Sequence, residues 1–208
     1  MIKTLLLIFA PVRTWEGIFR AQRSVAFILG TYLLPLLLIT SICEGYGLVR
    51  WGKWQGEISH LVRFKPGEAV VFEAFQFGLS LILVVLNAGL VKSISGTFQR
   101  RHTFDQGFRT IAYGMGPLFL FRVLNAFAEI NPWLSWTFGI LLTISILYHG
   151  VPRIMDPDPA HAFCLYVVTS LLLLFTTGLI QMLTAFCLQG KFPRLMTLIS
   201  SLGAKLPF

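Results

Sequence analysis

The stretch VVFEAFQFGLSLILVVLNAGLV, running from Val70 to Val91, decides the fold: 22 residues in which Glu73 is the only charge. A helix rising about 1.5 Å per residue needs roughly 20 apolar residues to cross a bilayer core of about 30 Å. This stretch is that long and that apolar, so it reads as a membrane span. Working outward, four further runs satisfy the same test: Val25 to about Cys43, Thr110 to Ala128, Trp133 to Val151, and Phe163 to Leu188. The chain therefore reads as one all-α membrane domain over residues 1–208, a polytopic bundle of five transmembrane helices with interfacial amphipathic segments.

Composition agrees. Of 208 residues, 55% are hydrophobic and 12% charged, with mean hydropathy +0.73. Soluble domains carry roughly 25% charged residues, so this chain has too little polar material to cover a water-facing surface. The net charge of +8 comes from bases lying between apolar runs, with no nucleic-acid motif beside them. Such bases attract anionic headgroups and set topology. The expected partners are membrane lipids and other membrane proteins or a second copy of the chain, not nucleic acid. Cys43, Cys164 and Cys187 form no disulfide framework, although Cys43 and Cys187 fall near one membrane face. Met1 to Ala10 resembles a short signal peptide, but it lacks a small-residue cleavage site and runs into Pro11, so it is expected to be retained.

The connections carry their own signals. Pro132 ends a tight hairpin, Glu129-Ile130-Asn131-Pro132, between the third and fourth runs, and residues 152–159 form a proline-rich linker. Within residues 1–24, Leu5, Leu6, Phe9, Val12, Trp15, Ile18 and Phe19 recur at helical spacing. Arg13, Glu16, Arg20 and Arg23 take the other side. That pattern predicts helices lying in the headgroup plane, broken near Pro11. Trp51, Trp54, Ile58, Leu61 and Val62 fit one face of another surface helix, or pin an irregular loop. Residues 189–208 are too short to span and read as an interfacial tail. With a cytoplasmic N-terminus, the Lys and Arg of the connections divide 9 to 7 in favour of the cytoplasm, which predicts N-in and C-out.

Polar residues inside spans are costly and mark where function resides. Glu73, Gln76, Ser80 and Asn87 fall at i, i+3, i+7 and i+14, a single stripe. Arg122, Asn125 and Glu129 form a second, and Tyr166, Ser170, Thr177, Gln181 and Thr184 a third. All three are expected to face a common interior, with Glu73 and Arg122 paired because they share a depth. Two readings stay open: a polar cavity for an ion, headgroup or proton, and an interhelical clamp. Arg13, Arg20, Arg23, Arg100 and Arg101 are the candidate headgroup contacts. His149, Asp156, Asp158 and His161 cluster without a metal-site spacing, and Asp-Pro pairs are ordinary turn chemistry. No metal and no cofactor is expected. Neither a nucleophile elbow nor a phosphate-binding loop is present, so the chain does not read as an enzyme. Gly114-Met115-Gly116-Pro117 lies inside a span, where Pro117 predicts a kink.

The order of these features resembles the Yip family of Rab-interacting-type membrane proteins. Four places carry the likeness: Pro11-x-x-Thr14-Trp15-x-x-Ile18, Ala112-Tyr113-x-x-x-Pro117-Leu118, Asn131-Pro132 with Tyr148-His149-Gly150-Val151, and His161-Ala162. The resemblance covers most of the chain. It implies a cytoplasmic N-terminus and a non-enzymatic scaffold or adaptor role in membrane organisation or trafficking. About twenty residues precede the first span, a short N-terminal region that resembles a bacterial member and implies the cytoplasmic (inner) membrane. The other reading is a small transporter or lipid-handling protein built around Glu73 and Arg122.

Overall fold

The computed structural model of the chain describes residues 2–55, 60–96, 103–155, 161–189, 191 and 193–204. From the N-terminus the elements are α1 (Ile2–Phe9), α2 (Pro11–Ala21), α3 (Val25–Arg50), and strands β1 (Lys53–Gln55) and β2 (His60–Val62). Next come α4 (Pro66–Ser95), α5 (Phe104–Gly114), α6 (Gly116–Phe121) and a 3₁₀ turn (Arg122–Ala126). The chain continues through α7 (Pro132–Met155), α8 (Ala162–Leu188) and α9 (Pro193–Gly203).

Among the described residues, four continuous helices, α3, α4, α7 and α8, are long and apolar enough to cross a membrane. The expected count of five spans is not exact, and the kink expected at Pro117 goes further than a bend. The third expected span is divided into α5, α6 and the 3₁₀ turn. Pro117 has no N–H to give to the carbonyl of Tyr113, and α5 gives way to α6 at Met115. The segment then tightens into 3₁₀ geometry and leaves the helix at Phe127, with φ −87° and ψ 132°. α3 also departs from regularity: Leu29–Leu33 is a π-helical turn around Tyr32.

Local sequence sets the starts. Thr103 Oγ1 accepts from the Gln106 amide at 3.4 Å while Gln106 Oε1 accepts from the Thr103 amide at 3.0 Å, a reciprocal cap on α5. Glu68 accepts from the Lys65 amide at 3.1 Å, and Pro66 opens α4 where no N–H is required. Pro132 does the same for α7, with Asn131 Oδ1 accepting from the Trp133 amide at 2.9 Å.

The contacts sort the helix ends into two groups. At the first, α2 packs on the C-terminal half of α7: Trp15 Nε1 donates to the Ile146 carbonyl at 3.1 Å, and its ring occupies the space left by Gly150, which has no Cβ. At the second, Phe64 N donates to the Leu48 carbonyl at 3.2 Å, and α9 lies against the first turn of α4, where Gly67 and Gly203 bring backbone to backbone. α5, α6 and the 3₁₀ turn run between the two groups alongside α7. The larger core, including Leu7, Trp15, Tyr32, Phe108, Met115 and Leu147, fills the first end and the middle. A smaller one with Leu48, Phe64, Phe72, Leu188 and Ile199 closes the second.

The break near Pro11 is present, at Ala10 between α1 and α2. α1 nevertheless does more than lie flat. Thr4 Oγ1 is 3.0 Å from the Tyr32 hydroxyl, and the Tyr32 ring packs against Tyr113 with centroids 4.5 Å apart and planes tilted by 44°. Tyr32 sits seven residues into α3, so α1 reaches about 10 Å along the bundle from the start of that helix. The helix expected around Trp51 to Val62 is absent: Lys53–Gln55 pairs antiparallel with His60–Val62, and residues 56–59 lie outside the described residues. The helical spacing of tryptophans there competes with Gly52 at φ +75°, a conformation that ends a helix and favours a turn. The cysteines are free thiols.

Candidate functional site

Three charged side chains meet near the second end of the bundle because of how the broken helix returns. Gly47 on α3 has no Cβ, and the backbone of Ala126 lies where one would be. This close approach sets the 3₁₀ turn against α3 and swings Arg122 between α3 and α4. Arg122 Nε donates to Glu44 Oε2 at 2.5 Å, and Nη2 donates to Glu73 Oε2 at 2.5 Å. Nη2 also lies 3.5 Å from Ser41 Oγ, and Asn125 Nδ2 donates to Glu44 Oε1 at 3.3 Å. Glu44 is fully buried, and Glu73 is buried to 7% exposure. Among the described residues, the acceptors Glu73 Oε1 and Asn125 Oδ1 and the donor Arg122 Nη1 have no hydrogen-bond partner.

Glu73 and Arg122, expected as partners, are in contact, but the cluster has a third member that the sequence reading missed. Glu44 lies one residue beyond the apolar run ending at Cys43, yet α3 continues through it to Arg50. Leu37, Ser41, Glu44 and Leu48 are all buried and recur at helical spacing, so Glu44 occupies the inward face. That spacing was the available signal.

The α4 stripe is buried along its length, at Glu73, Gln76, Ser80 and Asn87. Gln76 Nε2 donates to Thr184 Oγ1 of α8 at 2.5 Å, and Thr176 Oγ1 lies 3.1 Å from Asn87 Oδ1. Gln181 Nε2 donates to the Pro132 carbonyl at 2.8 Å. On the inner side of Arg122 these groups leave a cavity of about 50 Å³, bordered by Gln76, Ser80, Asn125, Ser135, Trp136 and Gln181. A water needs roughly 10–15 Å³ of such space, so this void admits a few waters and no larger solute. Glu129 stands apart. The 3₁₀ turn ends at Ala126, and Glu129 is exposed in the connection beyond it.

Lys53 closes the second end. Its Nζ donates to the carbonyls of Phe127 at 2.6 Å and Ile130 at 3.0 Å, tying the hairpin to the connection after the 3₁₀ turn. Burial lowers its pKa to about 8, partly opposed by the charge of Glu44. At the other end Arg13, Arg20 and Arg23 are exposed, and Arg23 lies 4.6 Å over the Phe27 ring. Arg100 and Arg101 lie outside the described residues, as do Asp156 and Asp158. No group of three His, Cys, Asp or Glu is arranged to hold a metal among the described residues.

The fold and this buried ionic cluster define a class: an all-helical, multi-pass integral membrane protein whose interior charges are paired across helices. The particular family follows from comparison with known proteins. The Yip1 domain matches residues 5–180, most of the chain, and the protein belongs to that family. No curated protein and no solved structure matches the chain.

Proposed function

We propose that this protein is a non-enzymatic membrane scaffold or adaptor of the Yip type, organising a bilayer and its proteins from the end that carries α1 and α2. One observation carries the reading. These helices are anchored through Trp15 and Thr4, yet they present Ile2, Leu5, Leu6, Phe9, Val12 and Phe19 outward beside exposed Arg13, Arg20 and Arg23. Apolar side chains flanked by bases suit the boundary between acyl chains and anionic headgroups. Each base near an anionic leaflet contributes about 1 kcal/mol, screened by salt. The positive-inside tally and the family membership support a cytoplasmic position for this end and for the N-terminus.

The test is a mild-detergent purification of the full chain with mass spectrometry of proteins and lipids. A scaffold retains a membrane-protein partner or a second copy in fixed ratio, together with anionic lipid. Changing Arg13, Arg20 and Arg23 to Gln reduces that lipid. A chain that purifies alone, with lipid unaffected by the triple change, overturns the reading. Cysteines placed at positions 3 and 205 label from opposite sides if N-in, C-out holds.

A second reading, lipid handling around Glu73 and Arg122, is favoured by a cleft on the outer side of that pair.

A further inference from the structure

Between α3 and α4, on the outside of the bundle, lies a cleft of about 500 Å³. Its mouth is formed by Leu38, Ile42, Tyr46 and Val70, all well exposed on a surface that, in a membrane protein, faces acyl chains. The walls are almost entirely apolar, with Ala74 and Phe77 on the α4 side. At the floor stands Glu73 beside Ser41; Glu73 Oε2 is held by Arg122, while Oε1 is buried and takes no hydrogen bond from the described residues. Gly45 keeps the α3 wall low there: a Cβ at that position would lie 3.2 Å from Glu73 Cγ.

We infer that this cleft is a binding site for a single-chain membrane amphiphile whose head donates an N–H or O–H hydrogen bond to Glu73 Oε1. The inference rests on the lipid-handling reading and not on the scaffold reading. Ligand pockets run from roughly 300 to 1,000 Å³, and this one opens to lipid, so its occupant arrives through the bilayer and brings a chain for the apolar walls. A carboxylate oxygen is an acceptor only, so the head must donate. A buried acceptor left unpaired is costly; Ser41 shares the cleft, with its Oγ 3.5 Å from Arg122 Nη2, and leaves Oε1 without a hydrogen bond, so a donor on the occupant completes the pairing. Glu44 and Glu73 share Arg122, and the next cation, Lys53, is committed to two carbonyls above them. The cluster therefore tolerates either an ammonium or a hydroxyl donor.

The test uses the full chain in nanodiscs of phosphatidylcholine, a lipid with no N–H or O–H in its head. The probes are hexadecylamine, hexadecanol and hexadecyltrimethylammonium, the last carrying the amine's charge without a donor. Native mass spectrometry reads the retained ligand. At least one of the two donor probes is expected to bind one per chain, and the trimethylated cation at least tenfold more weakly. Ala74→Phe, a change at an exposed position that fills the cleft, abolishes retention, and Glu73→Gln weakens it at least tenfold. Equal binding of the trimethylated cation overturns the donor assignment. Retention unchanged in Ala74→Phe overturns the site. If neither donor probe binds but a co-purified lipid is lost from Ala74→Phe, the ligand assignment fails while lipid handling stands. If no lipid of any kind depends on Ala74, both fail.

Discussion

The two ends of this bundle use the same residue types in opposite ways. At the first, Arg153 Nη2 lies 3.6 Å from Glu16 Oε1, both partly in solvent, and Arg153 Nη1 donates to the Val12 carbonyl at 2.9 Å. At the second, Arg122 lies 2.5 Å from two carboxylates, with Glu44 shielded completely. Distance and burial together make the first pair a docking aid for α2 and the second a condition for folding. Exposed pairs contribute about 0–1 kcal/mol. Breaking a buried one by removing one partner costs about 3–5 kcal/mol, because the other charge is stranded.

The largest effect should therefore come from Arg122→Ala, which strands Glu44 and Glu73 together. The expected loss is about 3–5 kcal/mol, measured by unfolding in one detergent. Adding Glu73→Gln recovers only part of it, and adding Glu44→Gln as well recovers most. Simple additivity of the three changes would show that they are not coupled. Full rescue by Glu73→Gln alone would remove Glu44 from the cluster.

How much of this was legible follows from helix regularity. The α4 stripe could be read because α4 is unbroken, so a period of 3.6 holds from Glu73 to Asn87. The stripe of Arg122, Asn125 and Glu129 was read with the same period, but a 3₁₀ turn has about 3.0 residues per turn. Asn125 stays inside and Glu129 does not. Glu44 was lost for another reason. The apolar run stops at Cys43, whereas a helix ends where its hydrogen bonds do, and those of α3 run on to Arg50. The cleft is a void between two helices, and one-dimensional spacing carries no information about how far apart helices stand.

A middle-sized effect belongs to Lys53, whose pKa burial lowers from 10.5 to about 8. Between those values the unfolded chain binds more protons than the folded one, so this group's contribution makes stability rise with pH from about 8 toward 10.5. The neutral amine still donates to Phe127 and Ile130. Lys53→Met should abolish that rise, read as the difference between the two proteins' thermal midpoints across the window. A difference that stays flat means Lys53 is hydrated, and the second end is less closed than the geometry indicates.

The smallest effect is the one that tests the comparison from its other side. Arg153 holds α2 through two contacts of different kinds: an ion pair with Glu16 at 3.6 Å, and a hydrogen bond to a carbonyl. The Debye length is about 10 Å at 0.1 M salt and about 3 Å at 1 M, so salt weakens the ion pair and leaves the hydrogen bond. Glu16→Gln should thus cost less than about 1 kcal/mol at low salt and almost nothing at high salt. Arg153→Ala should cost about 1 kcal/mol, with a remainder of about 0.5–1 kcal/mol that survives high salt because the Val12 carbonyl loses its donor. Trp15, buried against Ile146 and Gly150, keeps α2 in place throughout, so neither change should release the helix. Unfolding of the two single mutants and the double mutant at low and high salt gives the coupling directly. A salt-independent loss for Arg153→Ala as large as that of Arg122→Ala would mean that the exposed end is held by charge after all, and the contrast between the two ends would fail.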